Sequence, residues 1–133
     1  MRIWILAKKE KFDTYENKRF ITEAKKQNLK VSLVCPEDIE ILEPLENKLN
    51  ILYKHRFVSP PDCIIPRMGS GTTYFGFAIL RQLEKLGGII LNNAESIEKS
   101  KDKLHTIQVL ANSNLPIPKT ILARFPINIK GHA

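Results

Sequence analysis

At 133 residues the chain fits one domain with one real core, and its apolar fraction of 43% and charged fraction of 26% are those of an ordinary soluble globular protein. No apolar run approaches the ~18 residues that a membrane span needs, and the opening MRIWILAKKE is too short in its apolar part for a signal peptide and has no small-residue cleavage site after it. The formal charge of +7 suits an anionic partner such as a nucleotide, an acidic peptide or nucleic acid, but the lysines are scattered and no RNP, zinc-finger or helix-turn-helix pattern is present.

Arg2 to Ala7 reads as a first strand, with Ile, Trp, Ile and Leu in near-continuous apolar order, as in a sheet covered on both faces. A charged loop follows. From Thr14, a candidate cap, the pattern turns helical, with Asn17, Phe20, Ile21, Ala24 and Asn28 on one face. Lys30 to Val34 is a second strand, closed by Cys35-Pro36. Glu37 to Lys48 is mixed, with a helical turn suggested through Ile39, Ile41 and Leu42. Leu49 to Tyr53 and Arg56 to Ser59 read as a hairpin bent at Lys54-His55, ended by Pro60-Pro61.

Cys63 to Ile65 is a buried strand, Met68 to Thr72 a turn, and Thr73 to Leu86 a helix with the stripe Phe75, Ile79, Leu80, Leu83 and Leu86. Gly87-Gly88 stops it, and Ile89 to Leu91 is another strand. Asn92 with Glu95 resembles a capping box that opens one helix to about Asn112, with Ile97, Leu104, Ile107 and Ala111 as its core face. A loop with two prolines leads to a last short strand, Lys119 to Ala123. Strands and helices alternating at these lengths predict an α/β fold, a mostly parallel Rossmann-like sheet of four or five strands with helices on both faces. Cys35 and Cys63, isolated at strand ends with no metal-ligand spacing, read as reduced core thiols of a cytoplasmic protein.

The segment DCIIPRMGSGTTYFG places a turn between a strand and a helix, where α/β proteins put ligands. It is neither a dinucleotide fingerprint, because Gly76 lies five residues after Gly71, nor a P-loop, because no Lys-Ser/Thr follows. What remains is Arg67 at a strand's carboxyl end, the backbone N–H groups from Gly69 through Ser70, Gly71 and Thr72 to Thr73, and three hydroxyls. Such a place attracts carboxylate or phosphate. The plainer reading is a tight turn, with Thr72 as a cap and Arg67 paired to a local carboxylate. Lys103 is the second candidate: on a helix it stands with Ile107 and Leu110 beside the core stripe, where a lysine stem can simply cover apolar surface. His55, His105 and His132 have no companions at ligand spacing, so no metal site is legible. Neither a nucleophile elbow nor a paired-carboxylate signature appears, and Asp62 reads as a turn cap.

Taken together, Asp62 with Pro66-Arg67-x-Gly69, Tyr74-x-Gly76 with Leu80-Arg81-Gln82, Leu91-Asn92, Asp102-Lys103-Leu104 and Leu115-Pro116-x-Pro118-x-Thr120 span nearly half the chain in order. This series resembles the first part of ATP-grasp ligases of the RimK type, which add glutamate to the C-terminus of a ribosomal protein or to related acceptors. The resemblance implies a pre-ATP-grasp domain over 1–92 and a linking helix and strand over 93–133. The ATP-grasp module, with its adenine hinge, its lysine strand and the acidic ligands of Mg²⁺, is expected beyond it, in the same chain or a partner chain. It further implies that ATP and Mg²⁺ serve the complete enzyme, and that the 133 residues alone are inactive and bind neither. Arg67 and residues 69–73 then become a clamp for an acidic small molecule or a peptide C-terminus, and Lys103 matches a nucleotide-contacting lysine. Two other readings stay open: a stand-alone regulatory domain that docks on a partner ligase, and a small basic nucleic-acid-binding protein. A homo-oligomer is compatible with each, and membrane attachment is not expected.

Overall fold

A computed structural model describes residues 1–45, 48–69 and 74–126, leaving aside the side chains of residues 43–49. In chain order the elements are β1 (Arg2–Leu6), α1 (Tyr15–Lys26), β2 (Lys30–Val34), β3 (Ile39–Leu45), β4 (Lys48–Tyr53), β5 (Arg56–Phe57), β6 (Cys63–Pro66), α2 (Tyr74–Lys85), β7 (Ile89–Ile90), α3 (Ala94–Lys101) and α4 (Lys103–Asn112). Single 3-10 turns occupy Lys9–Lys11 and Pro36–Asp38.

Four parallel strands form the main sheet in the order β2-β1-β6-β7. The chain therefore leaves β1 in one direction for β2, and leaves β6 in the other for β7. Right-handed crossovers running in opposite directions place α1 and α2 on opposite faces. The side chains obey this. Trp4 and Leu6 share a face with Val34, Ile64 and Ile90 through the strand register, and pack on Phe77, Ile79, Leu80 and Leu83 of α2. Ile3, Ile5 and Ala7 alternate to the other face and are equally buried. The expected α/β architecture is the one found.

Helix ends are set by local chemistry. At the end of α1 the Leu29 amide donates to the Ala24 carbonyl and the Asn28 amide to the Lys25 carbonyl, with Asn28 left-handed at φ 55°. The same paired bonds close α2 at Gly87, φ 90°, and α4 at Asn114, φ 56°. Asn28 is thus the stop of its helix and not part of the buried face, and Phe20, expected inside, is 40% exposed. In α2 the core aromatic is Phe77; Phe75 precedes the buried face and is 44% exposed.

The helical turn suggested at Ile39, Ile41 and Leu42 is instead β3, which pairs antiparallel with β4 and buries Ile39 and Ile51 against the face that α2 covers. The hairpin of β4 and β5 turns at Lys54 and His55, both with positive φ, as a two-residue hairpin loop requires. The long helix expected over 92–112 breaks at Asp102, whose carboxylate accepts from the His105 amide at 3.0 Å and starts α4 anew. The cap of α3 is Asn93, accepting from the Ser96 amide at 2.7 Å, one residue after the expected Asn92. Glu95 pairs with Lys99 instead of closing a capping box. The strand expected over Lys119 to Ala123 does not form, since nothing pairs with it among the described residues and an isolated strand leaves its backbone groups unsatisfied. Asp62 caps no turn; it accepts from the Arg2 amide at 2.6 Å and ties the start of β1 to β6. No helix of the described residues is long and apolar enough to cross a membrane.

Candidate functional site

The sheet order reverses between β1 and β6, and a crevice opens outside the carboxyl ends of strands at such a point. Here the Arg67 amide continues the ladder, donating to the Leu6 carbonyl at 2.7 Å. Met68 turns inward and is 7% exposed, while Gly69 takes φ 76°, a conformation that side-chain-bearing residues adopt with strain. Arg67 is left pointing away from the core, exposed, and forms no ion pair among the described residues. The local ion pair of the plainer reading is not found among the described residues, and its Thr72 cap lies outside them. Ser70, Gly71, Thr72 and Thr73 lie outside the described residues.

Two cavities flank this turn. The first, about 410 Å³, lies between the β1–α1 connection and β6; Lys11, Thr14, Glu16 and Asn17 wall one side, Arg67 and Gly69 the other. The carboxyl of Glu16 is held below the usual carboxylate range by its own backbone amide and the Thr14 hydroxyl, with smaller help from the charges of Arg67 and Lys11. Asn17 is 2% exposed; its Nδ2 donates to the Lys11 carbonyl at 2.8 Å, and its Oδ1 has no hydrogen-bond partner among the described residues. An unpaired buried acceptor costs about 1–3 kcal/mol.

The second cavity, about 550 Å³, lies between Gly69 and the start of the α3–α4 segment, with Asn92, Ser96, Ser100, Lys101 and Lys103 around Ile97. Its wall is held by contacts between α2 and α3. Arg81 pairs with Glu98 at 2.6 Å, and Glu84 Oε1 accepts from the Ala94 amide at 2.9 Å. Lys101 lies over the Phe77 ring, 5.6 Å from its centroid. Lys103 is the first residue of α4 and exposed. The apolar stripe that it was expected to accompany is not buried, since α4 contributes no buried residue.

Arg67, Gly69 and Lys103, chosen from the sequence, thus stand around neighbouring cavities that share Gly69. Sequence reasoning missed Lys11, Glu16 and Asn17 on one side, and Asn92, Ser96, Ser100 and Lys101 on the other. The signal for the first group was topological: if β1 and β6 are neighbours, the loop after β1 faces the loop after β6.

Comparison with curated proteins finds relatives over most of the chain. A "Probable alpha-L-glutamate ligase" of Vibrio vulnificus (strain YJ016) is 33% identical over 132 residues, which is 98% of this chain and 42% of the relative. Proteins of the same name from Pectobacterium carotovorum and Klebsiella pneumoniae (strain 342) are 39% and 40% identical over 95 residues, covering 66% of this chain and 31% and 32% of theirs. The chain therefore spans about two fifths or less of the curated relatives it matches. The family model of the RimK pre-ATP-grasp domain matches residues 1–97. With that match over a doubly wound sheet whose switch point is walled by basic residues, the chain belongs to the RimK pre-ATP-grasp family.

Proposed function

We propose that this chain is the substrate-side domain of an ATP-dependent carboxylate–amine ligase that joins glutamate to an acceptor bearing a carboxyl terminus, such as a ribosomal protein. The observation that carries the reading is the pair of basic cavities meeting at Gly69. Arg67 and the turn after it orient the acidic substrate, with residues 69–73 supplying backbone donors. Lys103, with Lys101 beside it, faces the phosphates of ATP; two cations, two serine hydroxyls and the apolar Ile97 suit a phosphate chain. ATP supplies the energy by which the substrate carboxylate is activated as an acyl phosphate. The amine of glutamate then attacks the carbonyl carbon of that acyl phosphate, the amide bond forms and phosphate leaves.

Among the described residues no group of three or more His, Cys, Asp or Glu could hold Mg²⁺ or another metal ion. The Mg²⁺ ligands are assigned to the ATP-grasp module, in cis or in trans, and so is the chemistry, so that the 133 residues by themselves do not turn over. Two free thiols suit a cytoplasmic setting.

The test is Arg67→Ala in the complete ligase. Losing a charge-assisted contact worth about 1.5–3 kcal/mol lowers kcat/KM for the acidic substrate about tenfold or more, at an unchanged Tm. A lowered Tm with kcat/KM intact would make Arg67 structural and overturn the reading.

A further inference from the structure

The outer face of the small antiparallel sheet departs from the apolar-in, polar-out alternation of a sheet with one side in water. Ile39, Ile41, Ile51 and Tyr53 alternate inward onto the core, which leaves Glu40, Leu42, Asn50, Leu52 and Phe57 on the other face. Three of these five are apolar, and Phe57, directly across from Leu52, is 66% exposed. Beside its ring a cleft of about 370 Å³ runs toward Ser59 and Leu86. The hairpin tip next to it is Lys54-His55-Arg56, and all three residues are exposed.

Charge says what such a face can hold. Glu40 is taken up by His55 at 2.5 Å and Asp38 by Lys9 at 2.8 Å, whereas Lys54 and Arg56 form no ion pair among the described residues. An aromatic ring open to solvent beside two uncompensated cations suits a ligand in which planar groups alternate with negative charges. A second copy of the chain is the other occupant to weigh for an apolar sheet face, but each copy carries a formal charge of +7 and repels the next. The same charge draws in a polyanion. We propose that the tip of the β4–β5 hairpin binds single-stranded nucleic acid, with one base stacked on Phe57 and the adjoining phosphates held by Lys54 and Arg56. This surface shares no lining residue with the cavities at Gly69, so it stands apart from the ligase reading.

The experiment is fluorescence anisotropy of the 133-residue chain with a labelled single-stranded oligouridylate of about ten nucleotides, titrated at several salt concentrations. Two phosphate contacts predict a slope of log K against log salt of about −1.4, and Arg56→Gln and Lys54→Gln should each reduce it by about half. Phe57→Ala should weaken binding about tenfold with the slope unchanged. Phe57→Leu keeps the apolar contact with Leu52 and removes the ring, and should weaken binding in the same way. Lys25→Gln removes an exposed cation from α1 and should change neither affinity nor slope. Inorganic polyphosphate of matched charge, which has no bases, should bind more weakly and be indifferent to Phe57.

A loss at Lys25→Gln equal to that at Arg56→Gln would reduce the interaction to the field of the whole chain and overturn the hairpin as its seat. Full affinity in both Phe57 variants, or polyphosphate bound as tightly as the oligonucleotide, would overturn the stacking. No binding at low salt up to about millimolar chain would overturn the surface altogether. Self-association that is lost in Phe57→Ala, in a chain that leaves the oligonucleotide unbound, would give the face to a second copy instead.

Discussion

Lys103 shows how a residue can be found by sequence for a partly wrong reason. Helical spacing put it beside a buried stripe, and the stripe is not buried; its exposure and its place on a cavity rim come from the chain break at Asp102. Met is the informative replacement, since it keeps the apolar stem and removes the charge. In the complete ligase, Lys103→Met is expected to lower apparent ATP affinity about tenfold with little change in Tm. Lys99, paired with Glu95, is the control and should do little, whereas Lys101 shares the cavity and is no control. Gly88 offers a different single-residue check. A Cβ there would stand 2.6 Å from Ile64 Cδ1 and 3.1 Å from the Leu83 carbonyl oxygen. Gly88→Ala should therefore destabilise by about 1–3 kcal/mol, read by denaturant unfolding, with its cause in crowding under α2.

Elements were legible where local chemistry and burial agree. β1 and β6 announce themselves as apolar runs, β2 as the alternation Lys-Val-Ser-Leu-Val, and Gly87 marks the end of α2 as plainly as a sequence can. The break between α3 and α4 was hidden because Ile97 and Leu104 keep the same helical phase across it, so periodicity carries no mark of the interruption. The mark was Asp102 itself, a residue that caps well and sits poorly inside a helix. Its carboxylate holds the His105 amide, and the Thr106 hydroxyl donates to carbonyls on both sides of the junction, Lys99 at 2.8 Å and Asp102 at 2.9 Å. Asp102→Ala is expected to cost about 1 kcal/mol and to raise hydrogen exchange at the His105 amide while β1 stays protected. β3 was obscured differently. Ile39, Ile41 and Leu42 fit a helical turn as well as a strand, and only pairing with β4 decides between them.

At the scale of the whole chain, the candidate site was half readable. The turn at Arg67 is contiguous in sequence, but Lys11, Glu16 and Asn17 come from a crossover some fifty residues earlier, and Ser96 to Lys103 from the α3–α4 segment that follows β7. Only the sheet order brings them together, and no window of sequence contains it. The same packing governs the thiols. Burial, the largest cause at each, pushes the Cys35 and Cys63 thiols above their ordinary range, and the carboxylate of Glu37 adds to it at Cys35. Both should therefore resist alkylation by iodoacetamide at neutral pH and react in full once the chain is unfolded in guanidinium. Rapid labelling of the native chain would show that one of these strand ends opens readily.

Gly69 belongs to the walls of both cavities at once, and its φ of 76° makes it a place where the backbone has few substitutes. Whatever settles into one cavity and adjusts the turn redraws the other, so two occupants on either side of it exchange free energy through a single residue. Such exchange is reciprocal: if one ligand tightens the second by some factor, the second tightens the first by the same factor. Gly69→Ala meets no atom within 4 Å, so its cost of about 1–2 kcal/mol is one of backbone conformation alone. It should act as an uncoupler, leaving each ligand able to bind by itself and deaf to the presence of the other.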